Sequence, residues 1–332
     1  MIRIALTLEN RGTDYGFVRQ YASDRGFDCV WRPLEDHHDR QATIAALCDC
    51  EAVIAGGSVF DEAVLSALSP MLRIIARFGI GYEHIDMECA TKLGVAVTNT
   101  PGCMSAGVAD LAIGMMLNIG RQISRLDNTI KTGGWDPRFT GFELEGKTVG
   151  LVGFGNIARR LAKYLSGFDC RVLAYDVAFD QHEAPNAAPA DLDTIACESD
   201  YVSIHLPMTD ETAGIIDNKF FEKMKPTAFL INTARGGVVA ERDMIEALKS
   251  GRIAGAALDV FEREPLPEDS ELRGLENCVF TPHIASYTIE TASKAAFLAI
   301  DNITDLFEGR VPKNILNPGF NNERSENSEI RI

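Results

Sequence analysis

The sequence predicts an α/β protein built on two doubly wound parallel sheets, and three observations carry that prediction. Short apolar, β-branched runs alternate with helical patterns along most of the 332 residues. Such strand–helix–strand repetition calls for a parallel sheet with helices on both faces. After Lys147 the alternation becomes regular, with at least five buried-strand patterns in succession, enough for a doubly wound sheet. The length also exceeds one domain of about 100–200 residues, so two are expected.

Taken in order, Ile2–Leu8, Ala52–Ala55, Ile74–Ala76 and Val95–Thr98 read as the early strands, with Asp61–Leu68 as an intervening helix. Thr100-Pro101-Gly102 punctuates the end of the fourth strand, and Ala106–Ile119 is a long apolar helical pattern. The later strands are Thr148–Val152, Arg171–Tyr175, Tyr201–His205, Ala228–Asn232, Ala254–Leu258 and Cys278–Thr281. Thr281-Pro282-His283 closes the last of them, and a helix over about 288–308 follows. Asn321–Ile332 is polar and of mixed charge, a tail expected to fray.

Composition narrows the function classes. Hydrophobic residues make up 46% and charged residues 24%, a globular mixture. The eight Cys fall singly apart from Cys48-Asp49-Cys50, with no CxxC at metal-ligand spacing. They read as reduced thiols, with no metal site expected. Met1–Asn10 lacks the apolar core of a signal peptide, and no apolar run approaches the roughly 20 residues needed to span a bilayer. A cytoplasmic location is therefore expected. The formal charge of -16, from 32 basic and 48 acidic residues, argues against nucleic acid and against an anionic membrane surface. It leaves small anionic substrates open, because a pocket needs only one or two well-placed cations.

Gly150-Leu-Val-Gly153-Phe-Gly155-Asn-Ile-Ala158 follows the strand Thr148–Val152 and opens the helix Asn156–Leu165. In a dinucleotide site the first glycine of such a run makes the tight turn and the second lets the main chain approach a pyrophosphate. The third position, here Ala158, packs helix on strand. The amides of Asn156 and Ile157 then point at phosphate, assisted by the helix dipole. A glycine run alone also fits a plain turn, but here the context adds to it. Asp176 ends the next strand 21 residues after Gly155, close to the expected interval of about 20. A carboxylate there accepts from the adenosine ribose hydroxyls and repels a 2′-phosphate. No Arg or Lys follows in Val177-Ala-Phe-Asp180, so NAD is expected rather than NADP.

Ligands of open α/β sheets bind beyond the carboxyl ends of the strands. Polar residues stand there in His205-Leu-Pro207, Asn232-Thr-Ala-Arg235-Gly-Gly237, Asp259 and Thr281-Pro-His283. Each alone has an ordinary structural use: Arg235 in a surface ion pair, Asp259 capping a turn, His283 satisfied in an interior. Together they offer a cation, an imidazole and a carboxylate at one sheet edge, the set that carbonyl reduction requires.

These segments resemble the D-isomer-specific 2-hydroxy acid dehydrogenases, most closely the phosphoglycerate dehydrogenase and hydroxypyruvate reductase branches. Asn232-Thr-Ala-Arg-Gly-Gly-Val-Val239 is similar to the segment around that family's substrate arginine. Gly255-Ala-Ala-Leu-Asp-Val-Phe-Glu-Arg-Glu-Pro265 is similar to the one carrying its glutamate, and Thr281-Pro-His-Ile-Ala285 to the one carrying its histidine. Glu264 lies 29 residues after Arg235, and His283 lies 19 after Glu264. The resemblance implies a flavodoxin-like substrate domain of residues 1–100 plus 288–332, interrupted by an inserted Rossmann dinucleotide-binding domain of residues 101–287. It also implies His283 as general acid/base, Glu264 as its hydrogen-bonded partner, and Arg235 gripping the substrate carboxylate and carbonyl. A carbonyl that receives hydride needs a proton donor within reach, and a guanidinium matches a planar carboxylate with two parallel hydrogen bonds.

The same resemblance assigns Arg77-Phe-Gly79-Ile80-Gly81 to the loop whose amides hold the substrate carboxylate, although the residues alone fit a plain glycine turn equally well. It sets Ile80 against the cofactor and Pro207 and Thr212 along the adenosine side. Thr233 and Asp259 fall near the carboxamide, Ala234 and Ala285 are further cofactor contacts, and His205 is read as structural. Departures matter too. Ala158 replaces a glycine, and Ser286 and Tyr287 stand where a glycine is common, narrowing the pocket. Ala55-Gly-Gly-Ser-Val59 lacks the basic residue that phosphoglycerate enzymes place there, which argues against a phosphorylated substrate. The expected activity is hydride transfer between NAD(H) and a small 2-keto or 2-hydroxy acid, in a homodimer to which Val108–Ile119 contributes unless that helix is core. The rival expectation is an NAD-sensing corepressor-type binding protein on the same scaffold.

Overall fold

The computed structural model describes residues 1–8, 15–179 and 184–320; the tail 321–332 lies outside them. The chain divides into two compact units, Met1–Met104 with the chain from Thr288 onward, and Ser105–Tyr287. The first begins with β1 (Arg3–Leu6), α1 (Gly16–Ser23), β2 (Asp28–Trp31), α2 (Arg40–Leu47), β3 (Ala52–Ala55), α3 (Glu62–Leu68), β4 (Ile74–Arg77), α4 (Met87–Lys92) and β5 (Ala96–Thr98).

Its five strands are parallel in the order β2-β1-β3-β4-β5, a doubly wound order that reverses between β1 and β3. The strands other than β2 read as unbroken apolar runs because both faces are covered. All four residues of β3 are buried. Asp39, Asp61 and Asp86 each cap a helix by accepting from a backbone N–H of its first turn, worth about 1 kcal/mol apiece. Strand β2 has no counterpart among the expected strands. It is a four-residue edge strand with only Cys29 buried, so it carries too little apolar pattern to be read.

The second unit contains α5 (Ser105–Arg121), α6 (Ile123–Lys131), β6 (Thr148–Val152), α7 (Asn156–Leu165), β7 (Arg171–Tyr175), β8 (Ala188–Pro189), α8 (Leu192–Glu198) and β9 (Tyr201–Ile204). It continues with α9 (Asn218–Lys223), β10 (Phe229–Asn232), α10 (Glu241–Lys249), β11 (Gly255–Leu258) and β12 (Cys278–Phe280). The seven parallel strands run β12-β11-β10-β9-β6-β7-β8. Their winding reverses between β6 and β9, where the two strand ends part and leave room for a ligand. The apolar helix α5 packs its buried Ala109, Ala112, Met115, Met116 and Ile119 into the core with Val149, Leu151 and Leu161, so its apolar face is core. Helix α6 has no buried residue.

The last helix, α11 (Ile289–Phe307), is capped by Thr288. It lays Ala296, Ala299, Ile300 and Ile303 against Ile4, Ile54 and Ile74 of the first unit's sheet.

Candidate active site

Gly153 closes the turn after β6 with φ +94, and a Cβ there would fall 2.7 Å from the main-chain carbon of His205. Only glycine lets β6 and β9 part this tightly. Gly155, by contrast, has nothing within 4 Å of its added Cβ. It leads into α7, whose first turn has no side-chain cap and no acid. The amides at Asn156 and Ile157 therefore start a helix whose positive end carries no negative charge of its own. Asp176 follows β7 and is drawn onto this turn. Its Oδ2 accepts from Phe154 N at 2.7 Å and its Oδ1 from Ala178 N at 2.9 Å.

Farther along the same edge, Thr212 Oγ1 donates to Pro207 O at 2.6 Å and accepts from Thr209 N at 2.8 Å, which brings Pro207 and Thr212 into one turn. Thr233 Oγ1 is buried without a partner. A glycine turn, an uncapped helix, an acid at the next strand and an unpaired buried hydroxyl suit a dinucleotide's pyrophosphate, ribose and amide groups.

The charged residues converge from three loops. Arg235 follows β10 and starts the short 3-10 turn Gly236–Val238. Buried Asn232 clamps that loop: its Nδ2 donates to Arg235 O and its Oδ1 accepts from Ala234 N, both at 3.0 Å. Arg235 Nη1 donates to Ala234 O at 2.8 Å. A Cβ on Gly236 would fall 1.9 Å from the main-chain carbon of Phe261, so the Arg235 loop rests directly on the loop after β11. That loop turns back on itself, Phe261 N donating to Glu264 Oε1 at 3.0 Å. Glu264 Oε2 meets His283 Nδ1 at 2.7 Å.

Burial opposes ionisation of Glu264 more than any other single influence. The hydrogen bonds from His283 and Phe261 N and the nearby charges of His283 and Arg235 together outweigh it, so its carboxyl is held below the ordinary value. His283 itself has φ +54, and its N–H donates to Asp259 O at 2.8 Å. Asp259 is fully buried and organises the turn around it. Its Oδ1 accepts from Thr281 Oγ1 and Ile284 N, and its Oδ2 from Ala285 N. Ala234 and Ala285 thus both give their amides to buried side chains of their own loops.

In the first unit, Gly79 and Thr100 exchange hydrogen bonds: Gly79 N donates to Thr100 Oγ1 and Thr100 N to Gly79 O, each at 3.0 Å. Asn99 Nδ2 donates to Ile80 O at 3.0 Å, and the Ile80 side chain is exposed. Arg77 shapes this loop by donating to the carbonyls of Gly81, Ala55 and Phe78 at 2.9–3.1 Å. Arg77, Gly79, Ile80 and Gly81 therefore lie together in this unit, and Arg235, Glu264 and His283 lie together in the other. Asn232, Gly236 and the role of Asp259 in the histidine turn were not foreseen. Gly236 and Asp259 act through contacts between segments far apart in sequence, which no local pattern carries, whereas Asn232 acts within its own loop.

The fold and these groups define an NAD-binding oxidoreductase. Residues 113–285 match the family model described as "D-isomer specific 2-hydroxyacid dehydrogenase, NAD binding domain". The chain is 44% identical over 292 residues to a glyoxylate reductase of Thermofilum pendens, covering 86% of this chain and 83% of that one. It is 37% identical over 272 residues to a hydroxypyruvate reductase of Thermotoga maritima, covering 81% and 88%. The D-lactate dehydrogenase of Escherichia coli superposes with a TM-score of 0.85 at 28% identity, over 95% of this chain and all of that one. The chain belongs to the D-isomer specific 2-hydroxyacid dehydrogenases, NAD-dependent enzymes acting on CH–OH groups.

Proposed function

We propose that this enzyme reduces a small 2-keto acid to the D-2-hydroxy acid with NADH, with glyoxylate and hydroxypyruvate as the leading substrates. The observation that carries the reading is the 2.7 Å contact between His283 Nδ1 and Glu264 Oε2, on a loop braced against the one bearing Arg235. Glu264, held as a carboxylate, accepts from Nδ1 and sets the ring so that Nε2 carries the transferable proton. His283 gives that proton to the carbonyl oxygen as charge develops there, and Arg235 holds the carboxylate and orients the carbonyl. The Gly79–Gly81 loop contributes main-chain amides to the substrate carboxylate.

Gly153, Gly155 and the first turn of α7 hold the pyrophosphate. Asp176 holds the adenosine ribose, with Pro207 and Thr212 on the adenosine side. Thr233, Ala234, Asp259 and Ala285 line the nicotinamide end, and Ile80 is a further cofactor contact. NADH, when bound, supplies the hydride to the carbonyl carbon. The first unit serves as substrate domain and the second as cofactor domain. The enzyme works in the cytoplasm as a homodimer, and α6 and the segment after it offer the contact, since Ile123, Ile130 and Trp135 are 53%, 52% and 80% exposed. No helix among the described residues is long and apolar enough to cross a membrane.

The relatives reported above are reductases and dehydrogenases, which favours turnover over NAD sensing. The test is a panel of glyoxylate, hydroxypyruvate, pyruvate and phosphohydroxypyruvate with NADH and with NADPH. Oxidation of NADH by at least one unphosphorylated keto acid is expected. NADH binding without oxidation by any of them would return the sensor reading, and equal kcat/KM with NADPH would remove the role given to Asp176.

A further inference from the structure

We infer that His37 is a specificity residue that recognises a hydroxyl on the substrate carbon next to the keto group, so that the enzyme selects 3-hydroxy-2-keto acids over unsubstituted glyoxylate. The inference rests on the function proposed above and adds the substrate's side chain to it.

His37 stands in the loop after β2. In the order β2-β1-β3-β4-β5 all strands are parallel, so the loops after β2, β3 and β4 open on one edge, beside the reversal at β1/β3 where such sheets take ligands. The loop after β3 reads Gly56-Gly57-Ser58, with no side chain on its first two positions, and an imidazole lies over them. A Cβ at Gly56 would sit 3.5 Å from His37 Cε1, and one at Gly57 3.4 Å from His37 Cδ2.

The ring is held by one hydrogen bond and its main chain by another. His37 Nδ1 and Ser58 Oγ share a 3.2 Å hydrogen bond, and Val59 N donates to His37 O at 3.1 Å. Ser58 is only 2% exposed, so its hydroxyl orients the imidazole from beneath. On the same stretch of chain, Ala55 O takes Phe78 N at 2.8 Å and Arg77 Nη1 at 3.1 Å. The imidazole and the Gly79–Gly81 loop are thus both anchored on Ala55–Val59. A keto acid held by its carboxylate at that loop meets His37 as the polar side chain of the neighbouring loop.

The charge around His37 selects a hydroxyl over a phosphate. Its loop carries Glu35, Asp36 and Asp39, and the two arginines that bracket it are committed elsewhere, Arg32 to Asp49 and Arg40 to Asp61. A phosphate dianion needs cations gathered around it, whereas a neutral hydroxyl needs only one oriented donor or acceptor.

The test measures kcat/KM for hydroxypyruvate and glyoxylate with NADH in the wild type, His37→Ala and His37→Gln. The ratio of the two is independent of how much enzyme is folded. It is expected to favour hydroxypyruvate in the wild type, to fall by about tenfold or more in His37→Ala, and to recover in part in His37→Gln, whose amide can still hydrogen-bond. An unchanged ratio in His37→Ala with glyoxylate still turned over would overturn the role of His37 alone. Wild-type preference for phosphohydroxypyruvate over hydroxypyruvate would overturn the selection of a hydroxyl. Failure of the wild type to reduce any keto acid would overturn the proposed function, and this inference with it.

Discussion

The two sheets end in edges of different kinds. At the second unit's edge, side chains face one another: His283 meets Glu264, and the loop of Arg235 rests on the loop of Glu264 through Gly236. Buried Asn232 and Asp259 hold those loops by accepting from their amides. At the first unit's edge the charged residue works inward. Arg77 spends its guanidinium on three carbonyls and gives the Gly79–Gly81 loop its shape. The comparison teaches that a conspicuous arginine near a glycine loop has two quite different uses. On the proposed function Arg235 contacts the reacting molecule, whereas Arg77 fixes the main chain of its own loop.

The largest effect tests the side-chain edge. His283→Ala removes the proposed proton donor, and kcat for keto acid reduction is expected to fall by roughly 10²–10⁴-fold, while NADH affinity measured by fluorescence titration stays within about twofold. Turnover at the wild-type level would place the acid elsewhere. Next, Gly236→Ala drives a methyl group into the main chain of Phe261, a contact that no rotamer can relieve. Overpacking of this kind typically costs about 1–3 kcal/mol, and here it also separates Arg235 from Glu264. A loss of kcat/KM accompanied by a lower melting temperature is expected, and an unaltered enzyme would show that the two loops do not need to touch.

Arg77→Lys probes the other edge at smaller scale. Lysine cannot reproduce the fork that binds three carbonyls, so KM for the keto acid is expected to rise about tenfold with a much smaller change in kcat, the signature of lost ground-state binding. If kcat fell as steeply as in His283→Ala, the two edges would not differ as described.

Legibility in the sequence follows the same division. The turn from β6 into α7 and the acid after β7 were readable because glycine, helix start and carboxylate fall within one continuous βαβ stretch. The buried strands of the second unit were readable to within a residue at each end, since a parallel strand covered on both faces is an unbroken apolar run. Strand β2 was not, because an edge strand of four residues with one buried side chain has no such run. His37 followed it out of view, its neighbours Gly56–Ser58 being brought to it only by the pairing of β1 with β2 and β3. Gly236 belongs to a legible segment, but its need for glycine arises from Phe261, a residue from another strand's loop.

In turnover the smallest effect is expected beneath the glycine turn, where His205 bears on folding stability. His205 follows β9, shares a 2.9 Å hydrogen bond between its Nε2 and Ser203 Oγ, and has a buried Nδ1 with no partner. Burial lowers its pKa to about 4, against 6.5 for an unburied imidazole. Between these two values the unfolded chain binds a proton that the folded chain refuses. The stability associated with the neutral ring is therefore fully present above about pH 6.5 and is lost as the pH falls toward 4, at most roughly 3 kcal/mol in all. His205→Gln keeps the contact to Ser203 within reach and removes the titration. Urea unfolding at pH 7 and pH 4.5 is expected to show a smaller difference between the two conditions for the variant than for the wild type. Equal differences would mean that the folded protein protonates His205 as readily as the unfolded chain does, and the ring would then belong with His283 among the groups open to proton exchange.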